Sequence, residues 1–311
     1  MNICYINQRI NQYIDKAVAK SGLSRRFLYL DCVFNCILGR CTIRDYFIYN
    51  FFYLNRKGKK EFISGVEQNK WQEAHNDKHM QDILQNKEKA LHHFSEFIDR
   101  DWCGQRYNNT LADYEKFENK HSFAIIKPLD LCGGEGIKIV NLQNLQGGGY
   151  IFCKKNGYLM EELIEQDEDL TRLYPYSVNT IRMVTYKKKL VAATLRIGRG
   201  RNEVDNLSSG GIAAGVDIQS GTVYTTGKTY DDEEFIFHPD TGMTIPGYVV
   251  PKWNECKKLV HKAVALCEGI PIVGFDITVA KNGPAIVEVN EGTEIEAIQL
   301  PVLRGARKIL R

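Results

Sequence analysis

The sequence predicts an α+β fold, with helices first and antiparallel sheets after them. Two observations carry that prediction. Within residues 1–100, long stretches lack Gly and Pro and place apolar residues at helical spacings. From about Ser122 the pattern changes to short alternating runs punctuated by Gly, Pro and Asn. No internal repeat and no low-complexity segment interrupts either half.

Taken in order, Asn11–Ala19, Lys70–Lys89 and Ala90–Asp99 read as helices. Phe123–Ile126 reads as a strand closed by Lys127-Pro128. The loop Gly133-Gly134-Glu135-Gly136 follows, then a second strand over Ile137–Val140. Gly147-Gly148-Gly149 marks a turn, and Tyr158–Ile164 is a further strand. Thr180–Tyr186 and Leu190–Ile197 alternate as an antiparallel pair joined at Lys187-Lys188-Lys189. Trp253–Cys267 has helical periodicity.

Composition narrows the function classes. With 43% hydrophobic and 25% charged residues over 311 positions, the chain has material for two or three packed lobes. Its 41 basic and 38 acidic residues are nearly balanced, without a dense basic run, which argues against nucleic acid as a partner. The nine cysteines are odd in number and form no Cys-x-x-Cys, so they read as free thiols in a reducing, cytoplasmic setting. The first 20 residues are too polar for a secretory signal. Phe27–Leu38, the longest apolar stretch, is interrupted by Asp31 and Asn35 and is too short to span a bilayer. The aromatic run Tyr46–Leu54 reads first as a core-facing element and second as a docking surface.

The segment Gly274–Asn290 consists of two alternating apolar runs around Asn282-Gly283. Residues two apart on a strand share a face, so Glu288 and Asn290 point one way and Val287 and Val289 the other. With a three-residue loop at Lys281-Asn282-Gly283, Asp276 lies opposite Glu288 and Gly274 opposite Asn290. A two-residue loop would split the acids between faces. Hard oxygen donors without His or Cys suit Mg²⁺. Alone, the ribbon reads equally as a metal site and as the polar side of a strand.

The Gly133–Gly136 loop can bring backbone amides close to a phosphate, and Lys127 before it can balance phosphate charge. The loop leads into a strand and no Lys-Ser/Thr follows, so it is neither a P-loop nor a dinucleotide fingerprint. A plain hairpin and a solvated strand end are the other readings.

Together these pieces resemble the ATP-grasp superfamily. The order is Lys87, Lys127-Pro128 with the Gly loop, Glu161-Glu162-Leu163-Ile164, Asn179-Thr180-Ile181-Arg182, Asp276 and Glu288-Val289-Asn290. The chain looks closest to the sugar-transfer-associated branch, through stretches such as Gly210–Asp217 and His238–Gly242. The resemblance covers roughly residues 75–301, while the first 70 match only loosely.

The resemblance implies an ATP-grasp fold of two α+β lobes, their antiparallel sheets clasping ATP, behind a mainly helical N-terminal region. It divides the chain into residues 1–85, a small ATP-binding lobe over 86–165 and a C-terminal lobe over 166–311. Lys87 and Lys127 would hold ATP phosphates, with Gly133, Gly134 and Gly136 closing over them as a lid. Glu161, Glu162, Leu163 and Ile164 would form the adenine hinge. Glu168 would contact the ribose, with Asp167 and Asp169 as register alternatives. Arg182 and Arg196 would face the transferred phosphoryl group. Asp276, Glu288 and Asn290 would bind one or two Mg²⁺ ions, Mn²⁺ being the alternative.

The implied activity is ligation: ATP activates a small-molecule carboxylate as an acyl phosphate, and an amine displaces the phosphate. The substrates would belong to polysaccharide, sugar or specialised metabolism and can be sugar-linked. The alternatives are an ATP-grasp kinase and a non-catalytic ATP-binding module in a glycan-synthesis complex. None of these needs a Cys or His nucleophile. His238 reads first as a turn residue and second as a substrate contact, and Lys228, Arg199 and Arg201 as either anion contacts or solvated charges.

Overall fold

The computed structural model describes residues 3–39, 41–130, 134–145 and 147–309, with side chains from residue 10 onward. Among these residues, seven α-helices come first: α1 (Ile3–Ser21), α2 (Arg25–Ile37), α3 (Ile43–Ile48), α4 (Arg56–Lys59), α5 (Gly65–His75), α6 (Lys78–Gln85) and α7 (Lys87–His93). Lys70–Lys89, expected as one helix, lies in three. Asp77 accepts from the Met80 N–H and Asn86 from the Lys89 N–H, so each starts a new helix where the sequence showed only an absence of Gly and Pro. The aromatic run takes its core-facing role: Tyr46, Phe47, Ile48, Tyr49 and Phe51 are buried. Tyr13 of α1 stacks on Phe47 at 5.7 Å. Leu207, Tyr230, Ala297 and Leu300, from far along the chain, close the same core.

The second layer is built from β1 (Trp102–Cys103), α8 (Leu111–Lys120), β2 (Phe123–Pro128), β3 (Lys138–Asn141), α9 (Gly148–Asn156) and β4 (Tyr158–Glu161). The strands form an antiparallel sheet in the order β1-β4-β2-β3. Where the Gly triplet promised only a turn, Gly147 turns the chain at φ 81° and α9 starts directly after it. Glu118 of α8 accepts the Gly149 N–H, supplying the cap that the glycines lack. A Cβ at position 149 would lie 2.6 Å from that carboxylate and 3.2 Å from Met160 Sδ, so a side chain there would have to displace the Glu118 contact.

The third layer contains α10 (Glu168–Leu173), β5 (Thr180–Tyr186), β6 (Lys189–Ile197), β7 (Ile212–Val216), β8 (Gly227–Lys228), β9 (Glu234–Phe235), α11 (Trp253–Ala263), β10 (Ile272–Ala280), β11 (Gly283–Asn290) and α12 (Ile295–Val302). Its antiparallel sheet runs β11-β10-β5-β6-β7-β8-β9. The β5–β6 turn is Lys187-Lys188, both at positive φ (49° and 64°), the type I′ geometry that matches strand twist. Trp253, Cys256 and Val260 of α11 pack into one large core with Met80 and Leu84 of α6. Helix α12 is buried from Ile295 to Pro301. Its Gln299 spends its whole amide inside the protein, accepting from the Ile63 and Ala306 N–H groups and donating to Ile63 O and Tyr49 Oη. The N-terminal helices are thereby fastened to the large sheet.

The β10–β11 hairpin corrects one expectation. Its loop is two residues, Lys281-Asn282, because Ala280 pairs with Gly283. That loop alone would have split the acids. A β-bulge restores the parity: Ile277 pairs with Ile286 but Asp276 pairs with Glu288, leaving Val287 as the extra residue. Gly274 accordingly pairs with Asn290. No described helix is long and apolar enough to cross a membrane.

Candidate active site

The two sheets and α6–α7 enclose a cleft of about 890 Å³. Its position follows from where the strands end. Strand β4 stops at Glu161, and the chain then runs irregularly through Glu162, Leu163 and Ile164 along the cleft wall. The Glu162 N–H donates to Asp101 O at 2.9 Å, but no described protein group takes the backbone groups of Leu163 or Ile164. Such open backbone donors and acceptors are what a planar heterocycle can pair with.

Of the residues singled out from the sequence, Lys87, Lys127, Gly134, Glu161, Glu162, Leu163, Ile164, Arg182, Arg196, Asp276, Glu288 and Asn290 all line this cleft. Gly136 turns the chain at φ 74° without lining it. Gly133 lies outside the described residues. Glu168 also stands away from the cleft lining: its side chain is 92% exposed, 3.8 Å from Arg172 on the outer side of α10. At Gly134, φ is 82° and a Cβ would lie 2.7 Å from Asn206 Nδ2 and 3.2 Å from Val204 Cγ1. The glycine loop thus touches the far lobe, and only glycine suits that approach.

Two buried ionic knots organise the floor. In the first, Glu161 is 2% exposed and meets Arg100 Nε and Lys127 Nζ, each at 2.6 Å. Burial alone would raise its pKa, but the two cations hold it down to about 2. Arg100 continues across the cleft and donates to Ile286 O (2.6 Å) and Val287 O (3.2 Å). Those carbonyls belong to the bulge, so one guanidinium ties β4 to the β10–β11 hairpin.

In the second knot, Arg182 grips Asp276 through both oxygens, at 2.5 and 3.1 Å. Arg196 stands 3.4 Å from Asp276 and bonds Asp205 at 3.0 Å. Asp205 also accepts the Thr180 N–H at 2.9 Å. Burial works against the charge on Asp276, yet Arg182 and then Arg196 hold its carboxyl below the usual range. Burial would likewise lower Arg196, and Asp205 and Asp276 outweigh it and push its pKa up. Sequence reasoning missed Arg100 and Asp205. Neither sits in a motif, and Asp205 is one polar residue among several in a loop, so no local signal marked them.

The donor set on β10 and β11 fits a divalent cation. Glu288 reaches the cleft exposed, and no described cation pairs with it. Asn290 lines the cleft, where its Oδ1 could face a cation, and its buried Nδ2 is unpartnered, a donor of the kind a phosphate oxygen satisfies. Arg182 takes a lone pair on each oxygen of Asp276 and Arg196 faces Oδ2, which leaves Oδ1 an open position.

The remaining polar candidates lie elsewhere. His238 is 1% exposed, its Nε2–H donating to Gly198 O at 2.8 Å and its Nδ1 accepting from the Asp240 N–H. Burial lowers its pKa, so it is a neutral turn residue outside the cleft lining. Lys228 pairs with Glu234 and Arg199 with Glu233, neither in the cleft lining. Burial pushes the thiols of Cys103, Cys153, Cys256 and Cys267 up to about 12, leaving them protonated and unreactive at neutral pH.

Two antiparallel sheets facing across a cleft, with a glycine loop on one and a carboxylate hairpin on the other, define an ATP-grasp protein. A family model described as sugar-transfer associated ATP-grasp matches residues 143–311, and the chain belongs to that family. Among solved structures, it is similar to the ATP-grasp ligase PsnB complexed with a phosphomimetic variant of its minimal precursor, Mg and ADP. There the identity is 12% and the TM-score 0.44, covering 76% of this chain and 60% of PsnB. It is also similar to a D-alanine–D-alanine ligase from Bacillus anthracis (12% identity, TM-score 0.44, 79% and 73% covered). A third is the N5-carboxyaminoimidazole synthase from Aspergillus clavatus (12% identity, TM-score 0.46, 80% and 58% covered). The chain thus spans about 60% of the length of PsnB. No curated protein matches the sequence.

Proposed function

We propose that this protein is an ATP- and Mg²⁺-dependent ligase that joins a small-molecule carboxylate to an amine. The observation that carries the reading is the single cleft of about 890 Å³ that gathers the lysines, the open-backbone segment after Glu161 and the β10–β11 carboxylates. In this reading the adenine lies against Leu163 and Ile164, and the phosphates run under Gly134 toward Arg182 and Arg196. Lys127 spends one N–H on Glu161 and keeps two for phosphate oxygens. Glu288 and Asn290, with Oδ1 of Asp276, would hold Mg²⁺, which supplies charge neutralisation to the phosphates when bound.

The substrate carboxylate oxygen forms a bond to the γ-phosphorus as the bond to the β-phosphate oxygen breaks, releasing ADP. The amine nitrogen then attacks the acyl carbon, phosphate leaves, and the amide remains after the nitrogen loses a proton. The chain's own contribution is orientation and a fixed electrostatic field. The buried Arg182–Asp276–Arg196–Asp205 knot supports this, because its members hold one another in place without waiting for substrate. The family's name supports substrates from sugar metabolism, and Mn²⁺ is the alternative metal.

The test is ADP release from Mg-ATP against a panel of carboxylate and amine pairs. A pair that elicits ADP and yields a product lighter by one water than the two partners supports ligation. ATP binding with no ADP from any pair would sink the ligase reading. A product heavier by one phosphate would replace it with a kinase.

A further inference from the structure

Among the described residues, helix α2 buries one side. Leu28, Cys32 and Asn35 are buried against the other N-terminal helices and fix how the helix is rotated. The opposite side presents Phe27, Leu30, Val33, Phe34, Ile37 and Leu38 to solvent, with Leu30 67% and Ile37 79% exposed. At 100° per residue these six fall within one half of the helix circumference. An exposed apolar face of this breadth marks a surface that meets something other than water.

Charge says what it meets. Residues 24–60 carry eight Lys and Arg against two Asp and Glu, whereas the rest of the chain holds 33 against 36. Two of the eight are paired with acids outside the segment, Arg25 with Asp15 and Arg44 with Glu296, and the surplus that remains still lies in the segment that bears the apolar face. The acid on α2 is already neutralised: Asp31 accepts from Tyr46 Oη at 2.7 Å and pairs with Lys59 Nζ at 3.1 Å. That ion pair holds α4 beside α2, leaving Arg56 and Lys57 of α4 and the adjoining Lys60 exposed. Arg26 is exposed at the start of the apolar face itself.

We propose that α2 docks this protein on an anionic lipid bilayer surface. An apolar helix face flanked by basic side chains is what lies in the headgroup layer, its hydrocarbon inserted and its cations against lipid phosphates. The helix lies in that plane rather than across it, because its 13 residues reach only about 20 Å against a hydrocarbon core of about 30 Å. A second copy of the chain is the poorer occupant, since a two-fold contact through α2 sets two basic segments against each other. The inference is independent of the reaction in the cleft.

The test is co-sedimentation of the full chain with phosphatidylcholine vesicles, with and without phosphatidylglycerol. The variants are a triple Leu30→Glu, Phe34→Glu, Ile37→Glu and a triple Arg56→Gln, Lys57→Gln, Lys60→Gln. Unchanged melting temperature and ATP binding show that each variant is folded. The wild-type chain is expected to pellet with the mixed vesicles and to bind at least about tenfold more weakly without phosphatidylglycerol or in high salt. The glutamate variant is expected to stay in the supernatant and the glutamine variant to lose about tenfold in affinity. If the glutamate variant does not fold, the glutamine variant decides alone, since its positions lie outside the core. The proposal is overturned if the wild-type chain ignores the mixed vesicles, if it binds both vesicle types equally, or if neither variant weakens binding. A dimer in sedimentation velocity that the glutamate variant dissociates would instead assign the face to a second copy, and would likewise overturn it.

Discussion

Replacing Glu161 by Gln isolates one buried charge without changing shape. In the native protein that carboxylate is 2% exposed between Arg100 and Lys127, and its pKa stands at about 2 instead of 4.5. The difference corresponds to about 3 kcal/mol of folding free energy at pH 7, an order-of-magnitude figure. Mutational experience agrees, because leaving buried cations without their partner costs about 3–5 kcal/mol. The folded pKa is depressed, so the stabilisation is fully present above about pH 4.5 and disappears as pH falls toward 2. Urea unfolding of both proteins should therefore show a gap of about 3 kcal/mol at pH 7 that narrows to about 2 kcal/mol near pH 3.5. Trp102 pairs with Glu161 across β1 and β4, so its fluorescence reports on the affected sheet. A gap below about 1 kcal/mol, or one that does not change with pH, would refute the reasoning that this ion cluster stabilises the small sheet.

Glu288→Gln should leave stability within about 0.5 kcal/mol, since the side chain is exposed, while ADP release falls about a hundredfold or more. Retained ADP release would remove Glu288 from the metal set. Arg100→Lys keeps the charge but cannot fork between Glu161 and the Ile286 and Val287 carbonyls. We expect kcat/KM for ATP to fall about ten- to a hundredfold, and an unchanged value would show that β4 and the hairpin are not coupled through this residue. His238→Gln should cost about 1–2 kcal/mol at pH 7 with activity per folded molecule unchanged. Burial lowers the His238 pKa, so its stabilisation is present above about pH 6.5 and is lost as pH falls. The variant's stability curve should accordingly be flatter between about pH 6.5 and 5, and an equal slope in both proteins would argue against a buried neutral His238.

Much of the fold was legible because it is written locally. The β5–β6 pair, the strands flanking the glycine loop and the α11 helix all follow from periodicity within a dozen residues. The breaks in Lys70–Lys89 were less legible, because Asp77 and Asn86 act as caps only once their side chains turn back to the backbone. Helix α9 was hidden by glycines whose missing cap comes from Glu118. The β10–β11 pairing was anticipated with the wrong loop: alternation set the faces, while the bulge at Val287 compensates for a turn one residue shorter.

The candidate site divides in the same way. Residue types and strand spacing alone pointed to Lys127, the glycine loop and the oxygen-bearing hairpin, because each is a local pattern of side-chain chemistry, whereas Lys87 and the segment from Glu161 to Ile164 came only through the family resemblance. What folding added is the set of partners. Arg182 meets Asp276 from 94 residues away, Arg100 meets Glu161 across 61 and the bulge across 186. Such pairs depend on which strands lie side by side and in what register, a choice made by the burial of whole sheets rather than by any short stretch of chain. The same holds for the exposed apolar face of α2. Its apolar spacing is visible in the sequence, but only the packed helices show that Leu28 and Cys32 turn inward and leave Leu30 and Ile37 in the open.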